Sequence, residues 1–524
     1  MTARRTPSLS GVELIDLVAD DGTFRSWDEP ITASDRIQAY AADLERARAR
    51  SGADESVLTG ECLVGGKRVA VVVSEFSFLG GSIGVDAANR LITAIERATR
   101  ERIPLLAGPA SGGTRMQEGT PAFVSMVAIS AAISAHKKEG LAYLVYLRHP
   151  TTGGVMASWG SLGHVTVAEP GALLGFLGPR VYEALYGEPF PEGVQTAENL
   201  HRHGVIDGVV APELLPRLVA RILATLSGPA AAASSSASSE RAEPPREEQY
   251  RGAPISAAES IRRSRERARP GVRSILRHAA SDVVHLSGTG QGESSDGLLL
   301  ALARFGSIPC VVVGQDRYAQ RSGTPWGPAA LRQAQRGQRL SAELGLPLVT
   351  VIDTPGAALS KEAEEGGLAG EIARSLESLV SHEAPTIAVL LGEGTGGGAL
   401  ALLPSDVTIA AQHAWLAPLP PEGASAIMHG DTSHAAEMAE SQRIGAMSLR
   451  EAGIVDWIVP EHPDAASEPA DFSRRVGATI EQVLTGIRGL TVPERLQRRR
   501  DRYRSIVGGP GRRAADPPRV EARG

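Results

Sequence analysis

Residues 68–115 read RVAVVVSEFSFLGGSIGVDAANRLITAIERATRERIPLLAGPASGGTR, and this stretch decides the fold class. RVAVVV is an apolar, β-branched run and predicts a strand. DAANRLITAIERATRE sets Leu91, Ile92 and Ile95 at helical spacing and predicts an amphipathic helix. IPLLAG predicts the next strand. Strand, helix, strand at this length is a βαβ unit, which implies an α/β fold with a parallel sheet.

Farther along, PCVVVG (309–314), AALRQAQRGQRLSAELG (329–345) and LPLVTVID (346–353) repeat the same order. The repeat continues at longer range. ASGGTR ends the second strand in the first half, and IDTPGA ends it in the second. LAYLVYLRHPTTGGVMAS then matches PTIAVLLGEGTGGGALAL, with Gly113 to Gly154 spanning 41 residues and Gly356 to Gly398 spanning 42. HVTVAEPGALLGFLGP matches DVTIAAQHAWLAPLPP, and HGVIDGVV matches AGIVDWIV, which sets Asp207 opposite Asp456. Four paired segments in one order indicate a duplicated domain. Between the halves, residues 227–248 read SGPAAAASSSASSERAEPPREE, a low-complexity stretch that predicts a flexible linker.

Composition narrows the function. The net charge of the 524 residues is -6, which argues against a nucleic-acid protein. Cys62 and Cys310 are too few for a disulfide framework or a four-cysteine zinc site, and they suit a reducing cytoplasm. The N-terminus lacks the apolar core of a signal peptide. No apolar run reads as long enough to span a bilayer. The 58 glycines are the informative excess.

Each half places two glycine loops at the carboxyl ends of predicted strands, the edge at which α/β sheets bind ligands. Glycine lets backbone N–H groups approach a ligand with no side chain between, and two such groups on one oxygen form an oxyanion hole. No Cys or Ser–His pair is evident as nucleophile and base. His149 and Glu118 lie near the loops but read as a solvent-facing loop residue and a helix-surface residue. The pattern therefore favours polarisation of a carbonyl by backbone dipoles, which suits enolate chemistry on a thioester. GEGTGG (392–397) matches GxGxxG but lacks the acid that a dinucleotide site needs about 20 residues on. SGTGQG (287–292) lacks the GK[ST] of a phosphate loop, and Glu362, Glu364 and Glu365 read as a solvated helix start. Arg115 and Arg180 suit either CoA phosphates or internal ion pairs.

On these residues the first half, from about Tyr40 to Leu223, resembles the beta subunit of bacterial acetyl-CoA carboxylase carboxyltransferase. The resemblance rests on SEFSFLGGSIG, ASGGTRMQEG, HPTTGGVMAS, AEPGALLGFLGPRV and GVIDGVV. The second half, from about Ala257 to Pro460, is similar to the alpha subunit through PWGPAALRQAQR, LPLVTVIDTPGA, GEGTGGGALAL and PPEGASAI. The resemblance implies two crotonase-like (ClpP/crotonase) domains: 1–226 on the acyl-CoA side and 257–492 on the biotin side, joined by a linker at 227–256 and followed by a basic disordered tail at 493–524. It implies transfer of a carboxyl group from biotin, borne on a separate biotin carboxyl carrier protein, to acetyl-CoA, giving malonyl-CoA.

By motif match, Gly153 and Gly154 would form one oxyanion site and Gly397 and Gly398 the other, their assignment to enolate or ureido oxygen being open. Gly112, Gly113, Arg115, Gly356 and Ala357 would line the substrate pockets. A biotin carboxylase partner, a homodimer or higher homo-oligomer, and the absence of metal, nucleic acid and membrane complete the expectation. The chain departs from the family pattern in lacking a four-cysteine zinc ribbon, in carrying His149 for Asp, and in continuing DTPGA with Ala358–Leu359 for Tyr-Pro. Propionyl-CoA carboxylation, a biotin-dependent decarboxylase and a non-catalytic scaffold are the competing readings.

Overall fold

The computed structural model describes residues 9–31, 40–177, 182–183, 186–226, 255–324 and 326–508. The chain divides into two compact units, Met1–Ser227 with Val284–Ser294, and Gly228–Val283 with Ser295–Gly524.

In the first unit one sheet runs in the order Arg25–Ser26, Val57–Val64, Lys67–Ser74, Leu105–Gly108, Tyr143–Leu147, Val165–Ala168, Gly208–Val209. The βαβ reading holds: Lys67–Ser74 and Leu105–Gly108 are parallel, and helix Val85–Arg100 connects them. The alternation missed an antiparallel partner, Val57–Val64, paired along its whole length with Lys67–Ser74. Helix Val85–Arg100 buries Leu91 and Ile95 and leaves Arg97 and Arg100 outward, as its 3.6-residue period requires. Its apolar face joins Val72, Leu105, Tyr143 and Trp159 in one core.

The second unit repeats this order and these directions. Leu298–Phe305 pairs antiparallel with Ile308–Gln315, after which Leu348–Thr354, Thr386–Thr395, Val407–Ala411 and Trp457–Val459 follow in parallel. The paired aspartates hold matching places. Asp207 accepts from Thr166 N at 2.8 Å, and Asp456 accepts from Thr408 N at 2.7 Å.

Three expectations change. Residues 284–294 belong to the first unit, not the second. There Asp207 also accepts from Ser287 N, and Gly288 packs against Gly204 so closely that a Cβ at either would overlap backbone. Residues 227–254 of the expected linker lie outside the described residues. Helix Gly119–Lys138, extended back to Met116, is long and apolar enough by composition to cross a bilayer, contrary to the sequence reading. Ala122, Met126, Ile129, Ile133 and His136 are nevertheless buried within the unit.

The basic tail is the third. Residues 492–508 form a helix, Val492–Gly508. Arg499 is 1% exposed, because its guanidinium donates to Asp406 Oδ1 at 2.7 Å and to the carbonyls of Leu379 and His382. Removing one partner of a buried pair strands the other charge and costs about 3–5 kcal/mol. Arg499→Ala is therefore expected to lower unfolding stability by that amount in urea melts. A loss under about 1 kcal/mol would mean that the pair is open to water.

Candidate active site

In the first unit, strand Leu105–Gly108 ends in the loop Pro109–Arg115, and strand Tyr143–Leu147 leads through Thr151–Thr152 into the short helix Gly153–Met156. The two segments are tied together: Thr152 N donates to Ser111 O at 2.9 Å, and Ser111 N donates to Pro150 O at 2.7 Å. This brings Gly112 and Gly113 against Gly153 and Gly154. A Cβ on Gly153 would stand 3.3 Å from Gly113 Cα, and one on Gly113 would stand 3.6 Å from Gly154 N. Gly113 at φ 114° and Gly153 at φ 61° also need backbone that side chains disfavour.

Most N–H groups in this contact are spent. Gly112 donates to Gly80 O, Gly113 to Ser111 Oγ and Gly153 to Phe176 O. Among the described residues, no acceptor is bonded to the N–H of Gly154 or Thr114. A Cβ on Gly154 would stand 3.2 Å from Thr114 Oγ1. Thr114 is thus a site residue that the glycine motif did not flag.

The second unit rebuilds the arrangement from Thr354–Ala357 and Thr395–Gly398. Gly356, at φ 137°, donates to Thr354 Oγ1 as Gly113 does to Ser111. Trp326 bridges Ala357 as Ile83 bridges Thr114. Helix Gly396–Leu400 opens with Gly396 at φ 61°, the angle of Gly153. The geometric counterparts of Gly153 and Gly154 are therefore Gly396 and Gly397, one place before the sequence pairing. Gly398 takes the place of Val155. The corresponding uncommitted N–H groups belong to Gly397 and Ala357.

Arg115 does not face the loops. It is 1% exposed, and its guanidinium binds both oxygens of Glu55, together with Glu118 Oε1 and Ser82 O. This corrects the expectation of a substrate contact: the charge is consumed in anchoring the end of the glycine loop. Glu118 is no surface residue either, for it joins Tyr40, Arg115 and the N–H of Val85. His149 is half-buried and accepts from Leu173 N at 3.0 Å. Arg180 lies outside the described residues. Gly392 and Gly394 lie inside strand Thr386–Thr395, not in a turn before a helix, so GxGxxG has no nucleotide-binding geometry here. Among the described residues, no three His, Cys, Asp or Glu side chains converge as metal ligands.

A Ser–His pair does exist, although the sequence offered none. Ser341 Oγ lies 2.9 Å from His382 Nε2, but the hydroxyl donates its proton to Leu346 O at 2.6 Å. The histidine must then donate, so it cannot act as base toward the serine. Burial, with Arg499 and Arg495 nearby, pulls its pKa from 6.5 down to about 4. With the folded value depressed, the unfolded chain takes up the proton first as pH falls. The neutral ring's stabilisation is complete above about pH 6.5 and is lost on descending toward about 4. The urea midpoint should fall between about pH 7 and pH 4.5, and should fall less in His382→Gln. Equal falls in both proteins would assign the linkage to other groups.

Comparison with known proteins agrees with this geometry. Residues 8–499 match the family described as the carboxyl transferase domain. The chain is 57% identical over 497 residues, 94% of its length and 98% of the relative's, to a Mycobacterium tuberculosis protein named "Probable biotin-dependent acyl-coenzyme A carboxylase beta3 subunit". It is 36% identical over 490 residues, 91% of its length and 86% of the relative's, to the acetyl-coenzyme A carboxylase carboxyl transferase subunits beta/alpha of Salinispora tropica. Among solved structures, transcarboxylase 12S superposes with TM-score 0.70 at 20% identity, covering 91% of this chain and 90% of that one, which shows a shared fold. With a family match that spans nearly the whole chain and glycine loops that meet in both units, the protein belongs to the carboxyl transferase domain family.

Proposed function

We propose that the chain is the carboxyltransferase component of a biotin-dependent acyl-CoA carboxylase, acting on acetyl-CoA to give malonyl-CoA. The observation that carries this reading is the repeated pair of uncommitted N–H groups, Gly154 with Thr114 and Gly397 with Ala357, each beside the place where the unit's two glycine loops approach. Two carbonyl oxygens need polarising in such a transfer, and the chain offers two such places. The names of the relatives support biotin-dependent acyl-CoA carboxylation, and the Salinispora protein supports acetyl-CoA in particular.

In this reading the first unit holds the thioester, and Gly154 and Thr114 stabilise its enolate oxygen. Gly397 and Ala357 hold the ureido oxygen of biotin, which a carrier protein presents. Bound there, biotin would supply the carboxyl group to the α-carbon and its ureido nitrogen would take up the α-proton, while Gly154 and Thr114 hold the thioester oxygen and Gly397 and Ala357 the ureido oxygen. No protein base is required, which fits loops without a free His or carboxylate. We read the common strand order as a duplication. Cys62 and Cys310 are free and buried, which fits a cytoplasmic setting beside a biotin carboxylase.

The chain should assemble with itself. Phe123 and Val127 are 64% and 69% exposed on one helix of the first unit, and Ile427 and Met428 are 70% and 68% exposed in the second. Such patches mark interfaces. Light scattering should give a dimer or larger homo-oligomer, and a fully active monomer would contradict this.

The chemistry is tested at Gly154 and Gly397. A Cβ at Gly154 meets Thr114 Oγ1 and Met126, and one at Gly397 meets the end of Ile372, so these neighbours can yield. With malonyl-CoA and free biotin as substrates, Gly154→Val and Gly397→Val should each lower turnover by a factor of ~10² to 10³. Melting temperature and CoA affinity should stay near wild type. If turnover falls only in proportion to folded protein, these glycines serve packing and the site assignment fails.

A further inference from the structure

We propose that Trp326 is a positioning residue for the second unit's loop pair, matched in volume to Gly398. The inference rests on the reading of that loop pair as the biotin side. Trp326 is wholly buried. Its carbonyl accepts from Ala358 N at 2.8 Å, and its backbone bridges Ala357, so the residue is fastened to the first loop. Its side chain reaches the second. Indole Cδ1 and Nε1 lie 3.0 and 3.4 Å from the point where a Cβ on Gly398 would stand, and Ala357 N lies 3.2 Å from it. One side chain therefore sets how near Gly397–Gly398 can come to Ala357.

The first unit fills the corresponding places differently. Ile83 stands where Trp326 does, with the same bridge to Thr114 and the same bond from the next residue, Arg115 N. Val155 stands where Gly398 does, and both Ile83 and Val155 are fully buried. Bulk lost from the helix is regained at the bridging residue: Ile with Val in one unit, Trp with Gly in the other. A second brace also differs. Gln315 Nε2 donates to Gly398 O at 2.8 Å while Gln315 Oε1 accepts from Asp353 N at 2.9 Å. The matching end of strand Lys67–Ser74 carries Ser74, whose side chain is too short for that span. The second unit's loop pair is thus held by an indole and an amide that the first unit lacks.

A volume match predicts coupling. Trp326→Ile leaves a hole and Gly398→Val overfills the site, so each single variant should melt several degrees lower. The double variant Trp326→Ile/Gly398→Val rebuilds the first unit's pair and should melt above both singles. The functional readout is malonyl-CoA decarboxylation with free biotin, run where every variant is folded. Each single variant should raise the KM for biotin by about tenfold, with the KM for malonyl-CoA within about twofold of wild type, since small displacements in a positioned site are costly. Gln315→Met, which removes the other brace, should show the same split. Melting shifts that simply add would overturn the volume match. Folded single variants with an unchanged KM for biotin, or with both KM values raised together, would make Trp326 an ordinary core residue. If the wild-type protein fails to decarboxylate malonyl-CoA with biotin, the proposed function fails instead, and the melting cycle still decides whether Trp326 and Gly398 share one space.

Discussion

The chain depends on a close contact between two loops, made once in each unit. Gly113 meets Gly153 in the first unit, and Gly398 meets Ala357 N in the second. Each contact joins the ends of neighbouring parallel strands, where two loops leave the same sheet edge. A side chain at Gly113 or Gly153 would meet opposing backbone at 3.3–3.6 Å and would have to adopt a positive φ that side chains disfavour, so both places favour glycine. Closure spends most of the local N–H groups on carbonyls and hydroxyls and leaves a small remainder to face a ligand. The chemistry attributed to the site comes from that remainder, not from an ionisable side chain.

A contact between loops needs anchors, and the two units use different ones. In the first, Arg115 ends the glycine loop in a buried network with Glu55, Glu118 and Tyr40. Glu118 also caps helix Val85–Arg100 through Val85 N, so the helix start and the loop move as one body. In the second, the position after Ala357 is Ala358, and the loop is anchored by Trp326, by Gln315 and by the buried pair Arg317–Asp353 at its root. Both units use a buried ion pair, but only the second adds an indole and an amide beside the loops. Two sites of one geometry can thereby be tuned for different ligands.

Much of this was legible in the sequence because it is local. The βαβ order is set by period and residue type, and the structure places it where the sequence did. What was missed is non-local or degenerate. Three consecutive glycines, Gly396 to Gly398, carry no marker of which begins the helix, and only the φ of 61° at Gly396 fixes the register. Arg115 could not be told from a ligand contact because its partner Glu55 lies 60 residues away. The basic C-terminal stretch reads as solvated until Arg499 is seen to reach Asp406, 93 residues back. Residues 284–294 look like part of the second half, but the packing of Gly288 on Gly204 and the bond from Ser287 N to Asp207 place them in the first unit.

The central claim is that uncommitted N–H pairs receive the two reacting oxygens. A crystal structure with a non-reactive acyl-CoA analogue and biotin bound would test it most directly. The account predicts the thioester oxygen within ~3.2 Å of Gly154 N and Thr114 N, and the ureido oxygen equally close to Gly397 N and Ala357 N. Either oxygen held instead by a side chain, or left facing water, would contradict it.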